Sequence, residues 1–306
     1  RSVGSVEGEL GIPYLAGLTA TVRAGYDIAR ADRTQFFPRN LQSQIETGSR
    51  PGNFSRNSPS HLNTVLDAFA KYERQLDQFS SDVDLVVGFS TERNRAEYPS
   101  FYAQGLITDL LGPSGVPISE TTDDAPFYSI DESRLVSGFG RLNYSLLDRY
   151  LFTITVRRDG SSRFGPDQQW GTFPSAAFAW RLSEEPFFSG IPLSDVKLRV
   201  SWGKNGNQAV GNYLSFTRYS FSQSTAQVQF GNAWISTIRP SASDPNLRWE
   251  ETSSTDVGLD FGFLDNRFGA TLDFYTKKTT DLIFNVPTAA GTALGTKPSP
   301  SQCSIS

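Results

Sequence analysis

The stretch VKLRVSWG, residues 196–203, alternates apolar and polar side chains without interruption. In an extended strand its apolar side chains share one face, and they are Val196, Leu198, Val200 and Trp202. In a soluble sheet this apolar face packs on a core, whereas in a membrane barrel it contacts lipid and the charged face lines a water-filled interior. One strand alone does not distinguish the two arrangements.

The same period of two recurs along the chain and predicts ten strands, rich in Val, Phe, Tyr, Thr and Leu. Its clearest further examples are residues 18–28, 150–157, 256–263 and 268–275. Helical spacing is nearly absent. The pattern therefore predicts an all-β chain.

Composition excludes several classes of function. Among the 306 residues the net charge is -4 and no basic cluster occurs, which argues against a nucleic-acid partner. No run of about 18 apolar residues is present, so a spanning helix is not predicted. With one histidine, His61, and one cysteine, Cys303, neither a disulfide, a zinc site nor a catalytic triad is expected. We predict no catalytic residue, no metal site and no cofactor, and interpret His61 as a structural residue at a loop end.

Connection lengths alternate between short and long. The short connections are 16–17, 77–81, 146–149 and 264–266, the long ones are 36–61, 95–133, 159–169 and 206–245, and 184–194 is intermediate in length. Outer-membrane barrels have tight periplasmic turns and long outer loops. The pattern predicts a partial antiparallel, up-and-down transmembrane β-barrel.

This interpretation assigns the side chains to two faces. The lumen-facing candidates are Arg23, Arg157, Lys197, Arg199, Asp256 and Asp260. The candidates facing lipid or its interface are Phe152, Trp180, Trp202 and Phe261. Further aromatic residues near strand ends suit the interfacial belts of a barrel: Tyr144, Tyr150, Trp170 and Phe173. Loop aromatics that either stack on a sugar or are exposed by chance are Tyr98, Tyr102, Tyr128 and Trp234.

Four motifs carry a family resemblance. They are RDGSSRFG at 158–165, WGTFPS at 170–175, SWGKNGNQ at 201–208 and PNLRWE at 245–250. In this order they resemble the barrel of SusC/RagA-type TonB-dependent transporters of Gram-negative outer membranes. The similarity covers most of 134–284 and is weaker over 1–133.

The resemblance implies a larger barrel with an N-terminal plug, of which residues 1–290 would be about ten strands. Plugged transporters of this kind have about 22 strands. It also implies opening by a TonB complex through the missing N-terminal part, a SusD-like surface lipoprotein as partner, and import of an oligosaccharide or peptide. Residues 291–306 are expected to be a truncated or divergent tail, and the plug is expected to lie outside this sequence.

Two alternatives stay open at this stage. The first is a soluble all-β binding or adhesion module whose apolar faces form a sandwich core. The second is a barrel that serves as a passive porin or a siderophore receptor, without a SusD-like partner.

Overall fold

The computed structural model describes residues 1–45, 51–76, 80–114, 127–188, 193–221, 227–287 and 296–300. Most of these residues lie in strands, together with one helical turn, α1 (Gln42–Ile45), and three 3-10 turns, 112–114, Leu182–Glu184 and Pro186–Phe188. The strands are β1 (Ser2–Gly11), β2 (Leu18–Arg30), β3 (Arg33–Phe37), β4 (Asn53–Asn57), β5 (Ser60–Leu76), β6 (Ser81–Gln104), β7 (Phe127–Leu146), β8 (Tyr150–Ser161), β9 (Trp170–Arg181), β10 (Leu193–Asn207), β11 (Tyr219–Phe221), β12 (Gln227–Phe230), β13 (Ala233–Ser236), β14 (Ile238–Pro240), β15 (Glu250–Phe263), β16 (Phe268–Thr280), β17 (Ile283–Pro287) and β18 (Thr296–Pro300).

Ten strands follow one another in a single sheet, in the order β1-β2-β5-β6-β7-β8-β9-β10-β15-β16. Each strand pairs with its neighbour along this up-and-down path, and β3 and β4 join the sheet through the pairing of β4 with β6. The remaining strands form the small antiparallel pairs β11-β14, β12-β13 and β17-β18. The predicted all-β class and antiparallel up-and-down sheet are confirmed.

The connection predicted at 95–133 is wrong in its bounds, because β6 continues to Gln104 and β7 begins at Phe127. Tyr98, Tyr102 and Tyr128 therefore lie on strands and not in a loop. The apolar signal ends before these strands do, since their outer parts alternate mainly polar residues. The long connection 206–245 contains the small strands β11 to β14, and Trp234 lies on β13.

Two of the predicted short connections, 146–149 and 264–266, are tight turns. The connection predicted at 16–17 is longer than expected, because β1 ends at Gly11 and β2 begins at Leu18. Leu147 and Asp148 both have φ of 54°, and Leu264, Asp265 and Asn266 have φ of 51°, 55° and 61°. Positive φ at consecutive residues matches the right-handed twist of the flanking strands, which is why such turns join hairpins closely. Residues 77–79 of the predicted turn at 77–81 lie outside the described residues, as do residues 291–295 and 301–306 of the predicted tail.

The chain divides into two compact units. Unit 1 consists of Arg1–Val6, Ala24–Val65 and Glu92–Ser133, and unit 2 of Glu7–Arg23, Leu66–Thr91 and Arg134–Ser306. Unit 2 contains a small aromatic and aliphatic core, described below. Among the described residues, no helix has the length and apolar character that crossing a membrane would require.

Candidate functional site

The strand register in unit 2 places the predicted charged residues on one face. Lys197 lies opposite Asp260 on β15 and Arg181 on β9, and Ser201 lies opposite Asp256. The same face continues from β9 across β8 to β7 through the pairs Ala177–Thr153 and Thr153–Asn143. Five predicted residues therefore share a polar face that spans six strands: Arg157, Lys197, Arg199, Asp256 and Asp260.

An ion-pair network crosses three strands of this polar face. Arg199 donates through Nε and Nη2 to both carboxylate oxygens of Asp260, at 2.8 and 2.9 Å, and through Nη2 to Asp273 at 2.9 Å. The residue directly between Arg199 and Asp273 in the register is Gly258. A Cβ at Gly258 would lie 2.6 Å from Arg199 Nη2, so a glycine here leaves the path of the guanidinium open.

Two further charged candidates, Arg157 and Arg23, also form ion pairs. Arg157 Nε donates to Asp159 at 2.8 Å and Nη2 donates to Ser137 at 2.8 Å. Arg23 on β2 donates to Glu7 on β1 at 2.6 Å. Among the described residues no group of three His, Cys, Asp or Glu side chains could hold a metal ion.

The opposite face of the same strands is apolar and open. Phe152, Trp180, Trp202 and Phe261 all lie on it by register. Phe152 contacts Phe178 with ring centroids 4.9 Å apart. Aliphatic side chains around these rings are exposed: Ile154 by 51%, Val200 by 38% and Val257 by 40%. A face on which such side chains remain exposed is not the interior of a sandwich.

An aromatic and acidic cluster closes the short-connection end of β8 and β9. Glu185, which lies outside the strands, accepts hydrogen bonds from Tyr150 Oη at 2.6 Å, from Trp180 Nε1 at 3.0 Å and from Arg149 Nη1 at 3.4 Å. The Tyr150 hydroxyl, then the Trp180 indole and the Arg149 charge, lower the pKa of the Glu185 carboxyl from its usual 4.5. The rings of Tyr150 and Trp180 stack at 6.1 Å.

The four sequence motifs meet at the long-connection end of unit 2. Their buried core consists of Phe164, Phe173, Leu247 and Trp249. The Trp249 ring lies 5.0 Å from Phe164 and 5.2 Å from Phe173, and its indole Nε1 donates to the Gln169 carbonyl at 2.8 Å. We call these four residues the loop-end core.

Backbone and arginine contacts bring the motif segments together around the loop-end core. The Gly165 amide donates to the Leu247 carbonyl at 3.2 Å, and Arg163 Nη1 donates to the Gln208 carbonyl at 2.9 Å. A Cβ at Gly165 would lie 1.9 Å from the Pro245 carbonyl oxygen, so only glycine allows this approach. The motif glycines and aromatics therefore serve one assembled structure.

The loop-end core corrects one expectation and adds residues that the pattern did not reveal. Phe173 was expected in an interfacial belt, yet it is only 7% exposed and packs on Trp249. Phe164, Leu247 and Trp249 are not part of the alternation, because they precede or follow strands. The available signal was the grouping of glycine and aromatic residues within the four motifs.

Residues 7–302 match the family model described as TonB dependent receptor-like, beta-barrel. The chain belongs to this family. Barrels of TonB-dependent receptors are outer-membrane proteins, and this receptor barrel segment is accordingly assigned to the bacterial outer membrane. The suspected relation to SusC and RagA is confirmed at the level of the family and fold.

The receptor barrel segment is similar to larger proteins. It is 41% identical over 235 residues to the TonB-dependent receptor SusC of Bacteroides thetaiotaomicron, covering 75% of this chain and 22% of SusC. It is 28% identical to the TonB-dependent receptor P3 of Formosa agariphila, covering 90% of this chain and 27% of P3. The solved structure of the RagAB peptide transporter matches with a TM-score of 0.81 at 23% identity, covering 97% of this chain and 32% of that chain. The chain thus spans about a quarter of the length of the curated relatives it matches.

We predict that Trp249→Ala destabilises a full-length receptor containing this segment by about 3–5 kcal/mol, because it removes the buried ring on which Phe164 and Phe173 pack. Urea unfolding in lipid vesicles measures the change. The matched control is Trp234→Ala, since Trp234 is 64% exposed and should matter by less than about 0.5 kcal/mol. Equal stability of the two variants would contradict the loop-end core.

Stability should also depend on Glu185 and on pH. Because the folded-state pKa of Glu185 is lowered, its carboxylate stabilises the fold above its unfolded pKa, and this contribution is lost as the pH falls through the folded value. Glu185→Gln should therefore lower the thermal midpoint at pH 7, and the difference from wild type should shrink on acidification. Glu184→Gln, an exposed neighbour, is the control. A difference that is constant with pH would refute the assignment.

Proposed function

We propose that the chain is part of an outer-membrane transporter that imports a nutrient, an oligosaccharide or peptide, together with a SusD-like lipoprotein and driven by a TonB complex. The observation that carries the proposal is the two-faced sheet of unit 2. One face bears the Arg199–Asp260–Asp273 network, and the opposite face bears exposed Phe152 and Val200. In the proposed transporter the first face lines the lumen and the second contacts lipid. We assign no catalytic role to any residue.

The cost of moving charged groups into hydrocarbon supports a lumen-facing polar face and a lipid-facing apolar face. Guanidinium and carboxylate groups in hydrocarbon carry a cost of several kcal/mol each, whereas a water-filled lumen leaves them hydrated. Conversely, an exposed apolar face in water would be an aggregation surface. Arg23, Arg157, Lys197, Arg199, Asp256 and Asp260 are accordingly proposed to face the lumen.

The aromatic residues of the apolar face fit contact with lipid or with the membrane interface. Trp180 combines an apolar ring with an indole N–H bonded to Glu185, at the end of β9. Amphipathic rings of this kind are enriched where hydrocarbon meets water. We therefore propose that Trp180 lies at the membrane interface on the short-connection side. Phe152, Trp202 and Phe261 are proposed to face lipid or its interface, since they share the apolar face.

The alternatives fit less well. A soluble adhesion module would bury its apolar face under a second sheet, yet Ile154, Val200 and Val257 are exposed. A siderophore receptor or porin shares the barrel and would lack the lipoprotein. The 41% identity to SusC over 235 residues supports the nutrient importer over both, and cargo remains a proposal because the chain covers 22% of SusC.

A pair of adjacent labels tests the two faces. In the full-length receptor with Cys303→Ser, a nitroxide at Val200→Cys should collide with oxygen dissolved in lipid, and one at Ser201→Cys with a water-soluble nickel reagent. The positions are neighbours, so strand geometry alone places them on opposite faces. Power-saturation measurements in vesicles compare them. Reversed accessibilities, or water-soluble reagent reaching both, would overturn the lumen and lipid assignment.

Uptake tests the transport proposal. A strain lacking the parental gene should fail to take up one member of a labelled panel of oligosaccharides and peptides, and the restored gene should recover uptake. Removing the TonB complex should abolish uptake, because the plug requires energy to move. Removing the SusD-like lipoprotein should lower uptake at limiting cargo. Uptake that survives without the TonB complex would indicate a porin, and uptake of an iron chelate without the lipoprotein would indicate a siderophore receptor.

A further inference from the structure

Unit 1 contains a basic cleft of about 260 Å³ that the transport proposal does not use. It is formed by neighbouring strands β2, β5 and β6. Its lining includes Ile28, Arg30, Leu62, Arg93, Arg95 and Glu97. The cleft thus combines three guanidinium groups with an apolar part, and we refer to it as the arginine cleft.

The alternation of the strands indicates which side of the sheet carries the arginine cleft. On β6, counting in twos from exposed Leu85, Val87 and Phe89 leads to Arg93 and Arg95. On β2, the side that carries Tyr26 and Ile28 continues to Arg30. The arginines therefore follow the apolar side chains on the same side of their strands, toward the long-connection end.

The cleft has unused capacity for an anion. Arg93 donates through Nε and Nη2 to Glu132 at 3.0 and 2.8 Å. Arg95 donates through Nε to Glu97 at 2.9 Å. Arg30 is exposed, and its side chain makes no hydrogen bond or ion pair to any described residue. Three guanidinium groups thus face two carboxylates, and a guanidinium carries five N–H donors, so positive charge and donors remain.

We propose that the arginine cleft binds the phosphate of a phosphorylated glycolipid in the outer leaflet of the outer membrane. This rests on the proposed function, in which the apolar side of the strands faces lipid and the long connections lie outside. Arginines that follow a lipid-facing apolar run reach the headgroup level, where their planar forks pair with phosphate oxygens. Ile28 and Leu62 offer apolar surface to the remainder of the headgroup or the first methylenes of an acyl chain.

The occupant is a lipid and not a free anion because of where the cleft opens. Basic groups beside the hydrocarbon region gain most from anionic headgroups, which are held at high local concentration by the membrane. The lining charge also favours this ligand, since the unpaired Arg30 lies beside apolar Ile28 on the same strand. A free phosphate would use the guanidinium groups and leave the apolar lining unused.

The test uses the full-length receptor in detergent micelles, titrated with diphosphorylated lipid A and followed by native mass spectrometry. Arg30→Gln should weaken binding about tenfold, as expected for loss of a charge-assisted hydrogen bond. Arg30→Lys should retain part of the affinity. The control is Arg33→Gln, which removes an exposed arginine from β3 outside the cleft. Dephosphorylated lipid A and inorganic phosphate are the comparison ligands.

Tight binding of the diphosphorylated lipid, with weak binding of the dephosphorylated lipid and of inorganic phosphate, would support the proposal. Equal binding to wild type and Arg30→Gln, or equal loss in Arg33→Gln, would overturn it. Full competition by millimolar inorganic phosphate would instead identify a general anion site and refute the lipid assignment. The labels at Val200 and Ser201 test the lumen and lipid assignment independently of the arginine cleft. Correct accessibilities with no effect of Arg30→Gln would refute the arginine cleft alone.

Discussion

The structure depends on one constraint, which is that a strand sends successive side chains to opposite faces while its backbone groups pair with the neighbouring strands. In hydrocarbon, unpaired backbone N–H and C=O groups are too costly, so strands can cross only as part of a paired sheet. Once the backbone is paired, the side chains decide which face is wet. In unit 2 this separates Arg199, Asp260 and Asp273 from Phe152 and Trp202 across the thickness of a single strand.

The two ends of the sheet are held together by different kinds of contact. At the short-connection end, consecutive residues with positive φ join the strands directly. Glu185 accepts hydrogen bonds there from Tyr150, Trp180 and Arg149. At the long-connection end, distant segments would be poorly held by turns alone. There Phe164, Phe173, Leu247 and Trp249 form the loop-end core. The family motifs are therefore explained by packing, since each contributes a glycine, an aromatic ring or a backbone contact to this core.

Much of the fold could be predicted from the sequence, and what could not has physical reasons. Alternation identified the ten strands that follow one another in the main sheet. It also assigned Lys197 and Phe152 to opposite faces, because the polarity pattern and the strand geometry have the same period. It failed beyond Thr91 on β6, where residues 92–95 are polar at every position and give no contrast between the two faces. The contact of Arg199 with Asp273 needs the register across Gly258, which a single strand does not contain. Trp249 was missed because its partners lie about eighty positions away in the chain.

The turn at Leu147 and Asp148 has a consequence for the order in which the chain folds. It closes a hairpin in which β7 and β8 meet after only a few linking residues, so little loop entropy is lost when they pair. Trp249 and Phe164, by contrast, are separated in the chain by β9 and β10, so their contact closes a much longer loop. We therefore expect the β7–β8 hairpin to pair early in folding and the loop-end core to pack later, once the intervening strands are in register.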